Sequence, residues 1–96
     1  MEKFNQVIAE NLEKLEQFVP IVARVHGESH PEFYDVKEQF DVLNGKLKSK
    51  NKDLDLNQEF KALRDITNHY TVPSDVCETY EAVYVMLKAL DQAYQD

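Results

Sequence analysis

The most constraining feature of this 96-residue chain is an apolar repeat at three- and four-residue steps that continues along almost the whole sequence. Such a repeat places its apolar side chains on one face of an α-helix, because about 3.6 residues complete each turn. Only two glycines and three prolines interrupt it, and no segment shows the alternating pattern of a half-buried strand. The sequence therefore predicts an all-α protein.

A long first helix is predicted from Phe4 to His26. Pro20 lies inside this helix and is expected to kink it or break it locally, because proline lacks the N–H that the helical ladder uses. Gly27 is the expected end of the helix. The predicted inner face comprises Phe4, Val7, Ile8, Asn11, Leu12, Leu15, Phe18, Val19, Val22, Val25 and His26.

A second helix is predicted to begin at the sequence SHPE. Ser29 and Glu32 have the spacing of a capping box, and Pro31 suits the first helical turn. The predicted stripe of this helix is Phe33, Val36, Phe40, Leu43 and Leu47. The helix then fades in the segment 46–52, KLKSKNK, which holds four lysines. These lysines favour a solvated helix C-terminus, where cations interact well with the helix dipole. A docking patch for an acidic partner is the alternative.

Two further helices complete the chain. The candidate caps of the third helix are Asp53, Asp55 and Asn57, and its predicted stripe is Leu56, Phe60, Leu63, Ile66 or Thr67, and Tyr70. The sequence HYTVPSD marks a turn, and Ser74 is the predicted cap of the fourth helix. The stripe of that helix is Val76, Tyr80, Val83, Leu87, Leu90 and Tyr94. Four amphipathic helices with short connections predict an up-down-up-down four-helix bundle in a single domain, residues 1–96.

Composition argues against several classes of partner. Eighteen acidic residues against eleven basic ones leave a net charge of −7, which opposes binding to nucleic acid or to an anionic membrane. No segment approaches the roughly 20 apolar residues of a bilayer span, and the N-terminal sequence lacks the pattern of a signal peptide. A single cysteine suits a reducing compartment. We therefore expect a cytoplasmic protein that binds neither nucleic acid nor membrane.

Few residues offer catalytic chemistry. Two glycines cannot form a phosphate-binding loop, and the chain has no CxxC. Cys77, predicted in the first turn of the fourth helix, is expected to pack as a small hydrophobe; a thiol activated by the helix terminus is the alternative. His69 is expected on the surface. Because no histidine is followed four residues later by an acid, as carboxylate-bridged di-metal bundles require, we expect no enzymatic activity.

Two histidines, His26 and His30, flank Gly27 in the segment VARVHGESHPEF and are candidate metal ligands. His26 falls on the predicted inner face of the first helix. It is therefore expected either to bond a carbonyl near the turn or to bind a metal. Pro31 opposes a continuous helix through both histidines, so the two need not share one helical face.

Three segments carry a family resemblance: VARVHGESHPE, LNGKLKSK and ITNHYTVPSDVCETYEAVYVMLKALDQ. Together they resemble the hemerythrin-like domain of the di-iron proteins that repair iron–sulfur clusters. In that family an R-V-H-G/A run closes one helix, and a T-x-P-x-x-A-C-x-T motif opens the last one. Here the second motif reads TVPSDVCET, with Val76 in place of the alanine. The likeness covers most of the chain and implies a hemerythrin-like bundle.

The same resemblance implies that most iron ligands are missing. His26 matches the histidine that closes the family's first bundle helix. Asn5 stands where the family has another histidine, and Lys50 and Leu54 stand in place of an H-x-x-x-E pair. The connection after that pair is absent, so the bundle is expected to be shortened at one end. Asp53 falls near the family's next histidine, and the sequence ends before a second H-x-x-x-E pair.

This resemblance implies a degenerate hemerythrin-like protein that has lost its di-iron site. We expect a non-catalytic binding or regulatory module without a cofactor. It is expected to form a dimer, or to bind a protein partner, through the shortened end. The alternative is an iron-binding protein in iron–sulfur cluster repair or in the response to nitrosative or oxidative stress. Its residual or intersubunit site would use His26, Asp53, His30 and Glu28. Catalysis by Cys77 or by a His–carboxylate pair has no support in the spacing.

Overall fold

The computed structural model describes residues 2–49 and 55–95, and these residues form four helices and no strand. The helices are α1 (Glu2–His26), α2 (Glu32–Lys48), α3 (Asn57–Thr67) and α4 (Glu78–Gln95). The predicted all-α class is therefore confirmed. None of the described helices combines the length and the apolarity that a bilayer crossing requires.

α1 is one uninterrupted helix of 25 residues that passes through Pro20. The predicted local break is therefore wrong, whereas its alternative, a kink at Pro20, stays a prediction. Pro20 removes a single ladder bond, and the buried side chains of Val19 and Val22 on either side of it hold both halves of the helix against the core. Val25 was also misplaced on the inner face, because its side chain is 62% exposed. In this part of α1 the buried residues are instead Val22 and Ala23.

The two predicted serine caps are wrong. α2 begins after Pro31 and has no side-chain cap, so Ser29 does not form the expected capping box. The Glu32 carboxylate, which would have completed that box, lies instead 3.1 Å from Nδ1 of His30. α4 begins at Glu78, four residues after Ser74. At α2 the contact that replaces the capping box is local, because His30 and Glu32 are two residues apart.

α3 begins at Asn57, and its N-cap is Leu56, which makes no side-chain cap bond, so neither Asp55 nor Asn57 is the cap residue predicted from the sequence. The Oδ1 atom of Asp55 accepts the backbone N–H of Asn57 at 3.0 Å and its side-chain amide at 2.9 Å. Asp53 lies outside the described residues. The Asp55 side chain therefore satisfies one of the backbone donors that a helix start leaves unpaired.

The core is formed by one apolar face from each helix. α1 packs mainly against α4, and α2 packs against α3 and α1. Near one end Phe4 contacts Tyr94, and near the other His26 contacts Cys77, so α1 and α4 are antiparallel. The core side chains with no solvent exposure are Leu15, Val19, Phe33, Val36, Leu43, Leu56, Phe60, Leu63, Tyr80, Val83, Leu87 and Leu90. The predicted stripes of α2, α3 and α4 supply most of them.

Two lysines of the segment 46–52 form ion pairs within the bundle. Lys46 Nζ donates to both carboxylate oxygens of the buried Glu59, at 3.0 and 3.1 Å. Lys48 donates to Glu16 on α1. The other two lysines of the segment lie outside the described residues. Because Lys46 and Lys48 join α2 to α3 and to α1, less of their charge is left for an acidic partner.

Candidate functional site

The segment VARVHGESHPEF contains the end of α1, the turn and the start of α2. Asp75 and Cys77, which precede α4, contact it. Nε2 of His26 lies 3.2 Å from Sγ of Cys77. Nε2 of His30 lies 3.1 Å from Oδ1 of Asp75, while its Nδ1 lies 3.1 Å from Oε2 of Glu32. We call these five residues the turn cluster. Each histidine therefore has a side-chain partner in the segment before α4.

Gly27 allows the turn that brings the two histidines together. Its N–H donates to the carbonyl of Ala23 at 3.0 Å, and the next bond of the turn runs from the N–H of His30 to the carbonyl of His26 at 2.8 Å. A Cβ atom at position 27 would lie 2.3 Å from the Ala23 carbonyl oxygen and 2.3 Å from Cζ of Tyr34. Position 27 therefore requires glycine, because any side chain there would overlap the Ala23 carbonyl and the Tyr34 ring.

Tyr80 forms the floor of the turn cluster. Its ring centroid lies 5.5 Å from the ring centroids of both His26 and His30, and the two imidazoles meet it edge to face. The Tyr80 hydroxyl is 3.0 Å from that of Tyr84. Burial raises the pKa of Tyr80, although its hydrogen bond with Tyr84 acts in the opposite direction. The cluster therefore rests on neutral, buried phenols.

The structure corrects the expectations for two candidate residues. Cys77 is exposed rather than packed as a small hydrophobe, and it precedes α4 instead of lying in its first turn. His26 is half-buried at the end of α1, and its partner is a thiol rather than the expected backbone carbonyl. Cys77 has no histidine near it in sequence, so local spacing contains no signal for this contact.

Of the other candidate residues, the structure describes Glu28 and His69. Glu28 is exposed and forms no hydrogen bond or ion pair with another described residue. Asp53 and Lys50, which the family resemblance singled out, lie outside the described residues. His69 is exposed, as predicted.

The turn cluster does not provide a complete metal site. In the part of the chain that the structure describes, no three His, Cys, Asp or Glu side chains converge in a way that could hold a metal ion. His26 and Cys77 are two adjacent donors, whereas zinc and similar ions take about four ligands. Both ring nitrogens of His30 already face carboxylates. A metal bound by His26 and Cys77 would therefore need ligands from outside the described residues.

A second polar group, not predicted from the sequence, lies near the other end of α4. Asp91 is buried and accepts from Nη1 of Arg64 at 2.7 and 2.9 Å. The Tyr70 hydroxyl donates to its Oδ2 at 2.7 Å, and the Gln95 amide donates to its Oδ1 at 3.3 Å. One feature of the sequence indicates this group: Asp91 is an acid that lies four residues after Leu87, on the predicted apolar stripe of α4.

A left-handed turn after α3 places Tyr70 against Asp91. Asn68, His69 and Tyr70 have φ values of 51, 58 and 63°, a region that costs about 1 kcal/mol or more for a residue with a side chain. Thr67 compensates in part, because its Oγ1 accepts the Tyr70 N–H at 2.8 Å. Burial, followed by the hydrogen bond with Asp91, raises the pKa of Tyr70. Tyr70 therefore donates to Asp91 as a neutral phenol.

Comparison with known proteins gives no family for this chain. No protein-family model matches it, and no solved structure matches it. The hemerythrin-like resemblance therefore rests on the three sequence segments described above.

Proposed function

We propose that this protein is a non-catalytic binding or regulatory module, built on a shortened hemerythrin-like bundle that has lost its di-iron site. In this proposal the helices run up-down-up-down, and the antiparallel packing of α1 and α4 supports that order. The module acts in the cytoplasm. It binds a second copy of itself or another protein through the shortened end of the bundle.

The observation that carries the proposal is that two of the candidate ligands, His26 and His30, already contact other side chains. His26, the one residue that matches a family ligand, contacts Cys77 through Nε2. His30 holds Glu32 and Asp75 through its two nitrogens. These contacts tie the α1–α2 turn to the start of α4, which is a structural role. A metal bound by His30 would have to displace one of its two carboxylate partners.

The aromatic packing beneath the turn cluster supports the same conclusion. Phe33, Tyr80 and Tyr84 are buried, with ring centroids 5.1 Å apart for Phe33 and Tyr80 and 4.9 Å apart for Tyr80 and Tyr84. A di-iron bundle projects glutamates and histidines into its interior at the metal. Rings and phenol hydroxyls occupy this part of the interior instead.

Metal content tests the proposal directly. The protein is purified without oxygen or chelator, and iron per chain is measured by plasma mass spectrometry. We expect iron well below about a tenth of an atom per chain, because two adjacent donors bind iron weakly. Near-stoichiometric iron that is lost in His26→Ala but kept in His69→Ala would overturn the proposal. His69 is a matched control, since it is exposed and lies outside the turn cluster.

An intersubunit iron site is the second candidate function, and one contact favours it. The 3.2 Å between Nε2 of His26 and Sγ of Cys77 is a spacing that two ligands of one ion can adopt. A second copy of the chain would then complete the coordination. This would be an iron-handling protein in cluster repair or in the response to oxidative or nitrosative stress.

Light scattering at micromolar protein distinguishes the two candidates. The binding module forms a dimer whether or not iron is present. The intersubunit iron site forms a dimer only with iron, and it loses the dimer in both His26→Ala and Cys77→Ser. A monomer under all conditions would contradict self-association in either form.

A further inference from the structure

A cavity of about 480 Å³ lies between the start of α1, the turn after α3 and the last turns of α4. Its lining includes Lys3, Arg64, His69, Lys88, Asp91 and Gln92. The volume falls within the roughly 300–1,000 Å³ of small-molecule sites. The cavity shares no residue with the turn cluster and lies toward the other end of α4.

The one acid in the described lining is already neutralised. Asp91 accepts from Nη1 of Arg64 with both oxygens. The same oxygens also accept from Tyr70 and Gln95. Because Asp91 has these four contacts and a cation beside it, it offers no free acceptor to a ligand and repels an anion only weakly.

Two cations in the lining, Arg64 and Lys88, retain unused donors. Nε and Nη2 of Arg64 form no hydrogen bond with any residue that the structure describes. Lys88 is exposed and has no ion-pair partner in the described chain, although acids outnumber bases by seven in the sequence. Ion pairing therefore leaves positive charge at the cavity in an otherwise acidic protein. Negative charge would be attracted there.

We infer that this cavity binds a small organic anion. Lys88 supplies a mobile point charge, Arg64 supplies planar N–H donors, and the Gln92 amide adds a neutral donor. Carboxylate and phosphate groups share the oxygen geometry that these donors recognise. The inference does not depend on the proposed function, because it uses none of the residues that the proposal uses.

Nuclear magnetic resonance titration tests this inference with two probes, citrate and inorganic phosphate, at constant ionic strength. We expect saturable shifts of backbone amides at His69, Lys88 and Gln92, and none in the turn cluster. Saturation by citrate alone would assign the site to polycarboxylates, and saturation by phosphate alone would assign it to phosphate esters. Absence of saturation with both probes would overturn the inference.

Three substitutions separate a built site from general attraction of anions. Lys88→Gln should weaken binding of the saturating probe by about threefold, which is the effect of losing one exposed charge contact. Lys14→Gln removes the same charge from an exposed position of α1 that does not line the cavity, and it should leave the affinity unchanged. Equal losses in both variants would overturn the inference. Gln92→Glu places a negative charge in the lining and should abolish saturation.

The result also remains separate from the metal test. Iron content reports on the turn cluster, whereas the titration reports on the cavity at the other end of α4. Either conclusion can fail while the other stands.

Discussion

His26 Nε2 lies 3.2 Å from Cys77 Sγ, although 51 positions separate the two residues in sequence. The contact joins the last turn of α1 to the residue that precedes α4, and it leaves the thiol exposed. Tyr80 packs edge to face against the imidazole and restricts its orientation. The histidine that resembles an iron ligand is therefore the partner of a thiol.

Exposure of Cys77 predicts that its thiol reacts in the folded protein. Iodoacetamide should alkylate it in buffer at a rate within about tenfold of the rate in denaturant. Folding slows alkylation mainly by burying a thiol, and Cys77 is not buried. A mass-spectrometric time course under both conditions measures the two rates. Much stronger protection in the folded state would show that Cys77 is packed after all.

The two glycines should respond in opposite directions to alanine. Gly27→Ala should lower the free energy of unfolding by about 1–3 kcal/mol, because the new methyl group overlaps the Ala23 carbonyl and the Tyr34 ring. Gly45→Ala, within α2 and with no atom within 4 Å of the new Cβ, should raise it by about 0.5–1 kcal/mol. Urea denaturation measures both changes. Effects of the same sign would contradict the described geometry of the turn.

Removing the Arg64 charge should destabilise the fold through Asp91. The Asp91 side chain is only 5% exposed, and Arg64→Met removes its ion-pair partner. The free energy of unfolding should fall by about 2–3 kcal/mol, a limited loss because Arg64 itself is partly exposed. Lys61→Met is the matched control on the same helix. Lys61 pairs with Asp65, but both side chains are well exposed, so its loss should change stability by no more than about 0.5 kcal/mol. Chemical denaturation that gave similar values for both variants would count against the buried pair.

The hydroxyls of Tyr80 and Tyr84 should be energetically coupled. Each phenol is buried, and the two oxygens lie 3.0 Å apart. Tyr84→Phe should cost about 1–2 kcal/mol, because the Tyr80 hydroxyl then lacks its partner. The double change to phenylalanine should cost less than the sum of the single changes. A double-mutant cycle by thermal unfolding tests this, and strict additivity would exclude the hydrogen bond.

Stability should fall at alkaline pH. Burial raises the pKa of Tyr70 and Tyr84 above the ordinary value of 10.0. The unfolded chain then loses these protons first, so the stabilisation is complete below about pH 10 and is lost as the pH rises further. Unfolding free energies measured from pH 8 upward should fall less steeply in Tyr70→Phe than in the parent protein. Tyr34→Phe, at a half-exposed tyrosine, should leave the slope unchanged.

The inner faces of α2 and α3 could be predicted from the sequence because helical periodicity is local. Phe33 and Phe40 on α2, and Phe60 and Leu63 on α3, are buried as the repeat indicates. The two predicted serine caps are wrong because capping does not depend on local sequence alone. A cap depends on where the chain enters the helix, and contacts between distant segments influence that path. At α2 the Glu32 carboxylate meets the nearby His30 instead of a backbone N–H, and the other ring nitrogen of His30 contacts Asp75 from the segment before α4.

The sequence by itself determined the helical class, the approximate helices and most of the core, since these follow from spacing within a few turns. Only the tertiary structure decided which polar residues meet. His26 contacts Cys77, and Arg64 and Tyr70 converge on Asp91. Residues far apart in the chain make these contacts, and the packing of α1 against α4 and the left-handed turn after α3 position them. Local periodicity contains no information about such pairings, because it specifies the face of a helix and not the neighbour that the face contacts.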